Sequence, residues 1–277
     1  MILPASPRTV VRTLAAIVLF FGVVHTSALL VEYAAGEDDY FQHLRLAQVR
    51  RQLNLEGEGN LTTWFSSATL VVCAYLLYTI AWHRRRERDP FSTHWILLAL
   101  VFVFLSIDET AMLHEATIVP LHAMLHPSGI FTYAWVIPAI PLVGAFAFFN
   151  VRFVMSLPPP ARVQFAVAGA VYVGGALGLE MVEGAIASSH GDKSLVMLFT
   201  RSLEEILEMT GVLLFIRALL EYMVVHIPAG LEAWSASQST PSVLPANLSA
   251  RGYGRRAPWW MRDRRPPVPT GHHRSLG

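Results

Sequence analysis

Runs of about twenty predominantly apolar residues recur six times along the chain, and that is the length a helix needs to cross about 30 Å of hydrocarbon. They fall at about 10–33, 61–82, 94–117, 130–151, 163–185 and 195–224. The expected fold is therefore all-α, a six-helix transmembrane bundle over residues 1–226 whose principal partner is the lipid bilayer. Composition agrees, since 15% of residues are charged, against about 25% in a typical soluble domain. Arg8 and Arg12 ahead of the first run resemble the start of a signal peptide. The apolar stretch from Leu14 to Val31 exceeds the roughly 7–15 residues of such a segment, so it reads as a retained helix. The single cysteine, Cys73, lies in an apolar run and excludes an intramolecular disulfide or a zinc ribbon.

Arginine placement predicts orientation. Fifteen basic residues flank one set of run ends: Arg8 and Arg12, the Arg84–Arg88 cluster, Arg152, Arg162 and seven in the C-terminal tail. The opposite loops hold four, Arg45, Arg50, Arg51 and Lys193. The positive-inside rule then puts both termini in the cytoplasm of a multi-pass membrane protein, as in a bacterial inner membrane. The tail over 227–277 is rich in Arg and Pro, lacks apolar periodicity and is expected to be disordered. The segment Tyr40–Leu53 is amphipathic and suits the membrane surface. No internal repeat suggests an inverted-repeat transporter, and no nucleic-acid partner is expected.

Against this apolar background the ionisable residues stand out. The third run carries Asp108, Glu109, His114 and Glu115; the fifth ends with Glu180 and Glu183; the sixth holds Arg201, Glu204, Glu205 and Glu208. A carboxylate at the centre of a membrane helix costs about 2.5–3.5 kcal/mol to insert, so such residues point to function by default. On one continuous helix at 100° per residue, Asp108 and Glu115 fall about 20° apart, with Glu109 and His114 flanking them. Arg201, Glu204, Glu205 and Glu208 share one stripe of the sixth helix. Counting about nine residues from the helix ends puts Asp108 and Glu204 at a common depth of about 13 Å below the outer surface. Glu180 and Glu183 are expected near the same level. His25, His114, His122, His126 and His190 lean toward that face.

Simpler roles compete for several of these residues. Glu115 and Glu183 fall at helix ends, where they can reach headgroups. Arg201 can form an ion pair with Glu205 or Glu208. The i,i+4 pair His122 and His126 can grip a metal or simply be solvated in a loop. Ala166, Ala170, Gly174 and Gly178 read as a helix-packing stripe, away from Glu180 and Glu183. Pro138 and Pro141 are expected to kink the fourth helix.

The block Ser106-Ile-Asp108-Glu109…His114-Glu115, with the block Glu204-Glu205-x-x-Glu208-Met209, resembles a set of bacterial polytopic membrane proteins of uncharacterised activity. The likeness covers most of runs three to six and implies no reaction. The alkaline ceramidase and progestin-receptor-like hydrolases have seven spans and a terminal HxxxH, where this chain carries glutamates, so their activity is not carried over.

Eight acids against one arginine cannot all stay ionised in a low-dielectric bundle. The favoured expectation is a membrane-embedded site for divalent metal ions built from Asp108, Glu109, His114, Glu180, Glu204, Glu205 and Glu208, acting on a lipid-like substrate. The alternatives are a proton- or cation-coupled transporter using the same acids, and a non-catalytic assembly subunit whose polar cluster sets packing.

Overall fold

The computed structural model describes residues 6–35, 46–190 and 194–227, all of them helix, turn or irregular chain. The expectations for the tail from residue 228 onward and for the start of the amphipathic segment fall outside the described residues, as does the side chain of His190.

Six helices are long and apolar enough to span a membrane. They are α1 (Pro7–Ala35), α3 (Leu61–Arg86), α4 (Ser92–Ala111), α7 (Val136–Ser156), the composite α8–α9, and α10 (Leu195–His226). Short helices fill the loops at one end: α2 (Ala47–Gln52), α5 (Leu113–Ala116) and α6 (Ile118–Leu125). The composite helix runs through α8 (Pro159–Val173), a π-helical stretch (Gly174–Leu179) and α9 (Glu180–His190). We call the end carrying residues 46–60 and 112–135 the acidic end and the opposite one the basic end.

Helix starts and stops follow local chemistry. Asn60 caps α3: its Oδ1 accepts from the Thr63 N–H at 3.0 Å while its Nδ2 donates to the carbonyls of Asn54 and Gly57. Ser194 caps α10 by accepting from the Met197 N–H at 3.2 Å. Pro158 precedes α8, and Pro159 and Pro160 occupy its first turn, where the missing N–H groups leave no gap in the helical ladder. Pro138 lies in the first turn of α7, so only Pro141 interrupts that helix from within.

The interior pair is α3 and α10; α4 packs along α3, and α8 and α1 pack on α10. Toward the basic end the core is apolar and aromatic. Trp95 meets Phe153 and Phe165 edge-on, and Leu77, Ile80, Ile216 and Leu219 are fully buried around them. A second cluster joins α1 to the bundle through Val18, Phe21, Phe65, Met209 and Leu213. Gly211 allows α8 and α10 to touch: a Cβ there would stand 2.7 Å from the backbone nitrogen of Tyr172. Close backbone approach of this kind drives helix association where lipid supplies no hydrophobic force.

Helix α4 departs from expectation. It ends at Ala111, and Met112 adopts the left-handed conformation at φ 52°. Asp108 is therefore three residues from its helix end, not nine, and the facial alignment with Glu115 on one continuous helix does not exist. Asp108 causes the break to persist. Its Oδ1 accepts from the His114 backbone N–H at 2.9 Å and its Oδ2 pairs with His114 Nδ1 at 2.9 Å, folding the chain back on itself.

Candidate functional site

The carboxylates converge at the acidic end of α9 and α10. Oxygens of Glu180, Glu183 and Glu204 all lie within 4.8 Å of one another. Glu180 and Glu183 are i,i+3 neighbours on α9, and Glu204 faces them from α10. Depth matches from both sides: Glu204 is nine residues inside the start of α10, and Glu180 is ten residues short of the end of α9. At 1.5 Å per residue, both lie roughly 14 Å in. The common level expected for three helices thus holds for these two, while Asp108 sits nearer the mouth.

Gly175 in the π-helical stretch lets the two helices close on this centre, since a Cβ there would stand 3.1 Å from the Glu204 carbonyl oxygen and 3.1 Å from Glu208 Cγ. Each acid is then held by a separate partner. Trp135 Nε1 donates to Glu180 Oε1 at 3.1 Å. Arg201 Nε lies 3.5 Å from Glu183 Oε2 and an Arg201 amino group donates to the Tyr133 hydroxyl, so the arginine reaches Glu183 on α9 instead of Glu205 or Glu208 on its own helix. Glu204 sets a carboxylate oxygen against those of both Glu180 and Glu183. Glu183 is 3% exposed, and its Oε1 is buried with no hydrogen-bond partner. A buried acceptor in that state costs about 1–3 kcal/mol unless something else binds it.

Around this centre lie further ionisable groups. Glu109 lies close to Ser66 on α3. Glu205 and Glu208 are half-buried on α10 close enough to feel one another and Glu109 electrostatically. At the mouth, His114 packs against Trp135 with ring centroids 4.8 Å apart and the planes tilted by 52°, which puts one indole between the imidazole and Glu180. Burial lowers the His114 pKa, but the hydrogen bond and charge of Asp108 outweigh it and hold it above the ordinary histidine value. Glu58 is pushed up by desolvation and by the neighbouring charge of Glu115.

Two expectations for histidines resolve differently. His122 and His126 are exposed, with His126 left-handed at the end of α6. His25 is fully buried beside Ser202 and Glu56, an arrangement that superficially resembles a nucleophile triad. The Leu55 N–H donates to His25 Nδ1 at 3.1 Å, so Nε2 carries the proton and points it at Ser202 Oγ, 3.0 Å away. Ser202 in turn donates to the Leu198 carbonyl. The imidazole cannot take a proton from this serine; it fastens the 46–60 segment to the bundle.

Sequence reasoning leaves Glu183 outside the ligand set, with a headgroup role open to it, and it does not reach Trp135 or Tyr133. The i,i+3 spacing from Glu180 was the signal for Glu183. Nothing in the sequence announced the two aromatic partners, which act across helices.

No curated protein and no solved structure matches this sequence. The sequence pattern of a domain of unknown function, DUF8692, matches residues 11–223, from the first membrane helix through most of the last. The match takes in every member of the carboxylate centre, and the chain belongs to the DUF8692 family.

Proposed function

We propose that this chain is a membrane-embedded divalent-cation protein whose first ligands are Glu180, Glu183 and Glu204. One observation carries the reading: the three carboxylates meet deep in the bundle, and Glu183 Oε1 is buried there without a partner. An oxygen-only set suits hard cations such as Mg²⁺, Ca²⁺ or Mn²⁺. Carboxylates ligate a cation only when deprotonated, so binding should weaken in acid. Glu205, Glu208 and Glu109 surround these ligands, and Arg201 pairs with Glu183.

A bound cation supplies Lewis-acid polarisation of a substrate oxygen. Asp108 fixes the His114 tautomer through Nδ1 and leaves Nε2 to accept or return a proton, the arrangement a general base requires. Trp135 spaces that imidazole from Glu180. Such a centre fits hydrolytic or oxidative chemistry on a lipid-like molecule, since the helices that carry it face hydrocarbon. The arginine distribution supports a cytoplasmic basic end in a bacterial inner membrane, which places the centre toward the outer leaflet.

A coupled transporter is the second reading. It is favoured by the succession of titratable groups from Glu58 and Glu115 at the mouth through His114, Asp108 and Glu109 to Glu205 and Glu208.

Metal analysis and thermal melting of the purified protein test the proposal, with Mg²⁺, Ca²⁺, Mn²⁺ and Zn²⁺ added singly. Wild type should retain one of these and be stabilised by about 2.7 kcal/mol at a hundredfold excess over Kd. Glu183→Gln and Glu204→Gln should lose that gain while melting normally without metal. Metal-free wild type, with melting insensitive to all four cations, rules the centre out. Ion-dependent flux in proteoliposomes, abolished in Glu208→Gln, moves the case to the transporter.

A further inference from the structure

Helices α1 and α10 touch along part of their length and then separate. Gly22 meets Ile206 at 3.3 Å from the position of a Cβ, and Val18 and Phe21 pack on Met209 and Leu213. Alongside this seam runs a groove of about 660 Å³, lined by Val11, Ala15, Leu19, Gly22, Leu214 and Arg217 among others. On α1 its lining extends from Val11 to Ser27. At 1.5 Å per residue this is about 24 Å, most of the hydrocarbon thickness. Its walls are almost wholly apolar, with Thr26, Ser27 and Thr210 among the few polar exceptions.

Charge distinguishes its two ends. The lower end, toward the basic face, holds Arg217 in the lining itself. Arg8 lies on the same face of α1 as Val11, Ala15 and Gly22, at offsets of three, seven and fourteen residues. Its charge reaches Glu221 of α10. Arg12 lies one turn above Arg8 and is exposed. Glu221 is the acid between them: it pairs with Arg217 at 2.8 Å and accepts from Gln164 at 2.5 Å. Three arginines against one glutamate leave this end positive.

We propose that the α1–α10 groove binds one anionic phospholipid, its acyl chain along the apolar wall and its phosphate among Arg8, Arg12 and Arg217. Basic pockets between membrane helices recognise such headgroups by charge, and the apolar wall selects nothing beyond a hydrocarbon chain. A zwitterionic lipid fills the wall equally but gains less from the arginines. The site is separate from the carboxylate centre. Arg217 is nine residues beyond Glu208 on α10, about 13 Å further along the helix. The lipid is thus a resident ligand whose headgroup lies far from any chemistry at Glu204, and the inference stands whether or not a metal binds there.

The test is native mass spectrometry of detergent-purified full-length protein mixed with equal amounts of phosphatidylglycerol and phosphatidylcholine, with melting measured in each lipid. Wild type should retain phosphatidylglycerol in preference. Arg8→Gln and Arg217→Gln should each reduce the preference about fivefold, the fold-change expected for one headgroup-level charge. Both variants should melt like wild type in phosphatidylcholine. Ala15→Trp fills the groove from an exposed position of α1 and should reduce retention of both lipids while leaving the charge intact. Equal retention of the two lipids by wild type overturns the proposal. So does a preference that survives Arg8→Gln with Arg217→Gln combined, or one untouched by Ala15→Trp.

Discussion

The two halves of α10 make the sharpest contrast in the molecule. From Met209 to Tyr222 the helix presents Val212, Ile216, Ala218, Leu219 and Leu220 to a close-packed core. From Arg201 to Glu208 the same helix carries four charged residues, each half-buried. One backbone therefore serves two physical regimes in succession. The apolar half stabilises by packing, where membrane helices gain chiefly from close contact. The polar half costs roughly 2.5–3.5 kcal/mol for each acid inserted, an expense the packed half must offset. A chain built only to fold would not place its acids there.

The largest effect should come from the packed half. Leu219 is fully buried, so Leu219→Ala should destabilise by about 2–5 kcal/mol, read as a fall in melting temperature in detergent. Cation binding should survive in whatever protein remains folded. If Leu219→Ala instead removes cation binding with little change in melting, the division of labour along α10 is wrong.

A smaller, pH-dependent effect belongs to the mouth of the polar half. The His114 pKa is raised in the folded protein above its ordinary value of 6.5. Its pairing with Asp108 therefore contributes in full below about pH 6.5 and is lost as pH rises through the raised folded value. Asp108→Asn should destabilise by about 1 kcal/mol at pH 5.5, a charge-assisted hydrogen bond discounted for the one-third exposure of His114. By pH 9 the difference should shrink. Urea or thermal unfolding at the two pH values measures it, and a gap that widens with pH would contradict the pairing.

The smallest effect lies at the α3–α4 seam. Ser67 Oγ and Ser106 Oγ are 2.8 Å apart between the two helices. Interhelical hydrogen bonds in membranes average about 0.6 kcal/mol, so Ser67→Ala should cost about that much. Melting in detergent should barely move.

The helices themselves were legible because their signal is one-dimensional: each run has the length the bilayer demands. Facing was legible only where the helix stayed regular. Glu204, Glu205 and Glu208 lie on a regular helix, and their shared stripe could be counted off. Asp108 and His114 could not be placed that way, because a left-handed Met112 lies between them, held there by hydrogen bonds that the local spacing does not encode. Glu183, the acid that completes the centre, is ambiguous from sequence because a helix ending at 185 leaves a headgroup role open to it; the helix continues to His190. Trp135 and Tyr133 are beyond local reading altogether. They reach their partners 45 and 68 residues away.

The π-helical stretch Gly174–Leu179 has a consequence for how such a chain can change. A turn wound this way holds about one residue more than its α-helical equivalent, so everything after it is rotated by roughly 100° relative to everything before. The contact that seats α8 against Gly211 belongs to one phase, and Glu180 and Glu183 belong to the other. Deleting one residue from the stretch would keep the span and its hydropathy, yet swing both acids away from Glu204. The span would then still cross the membrane while the centre came apart.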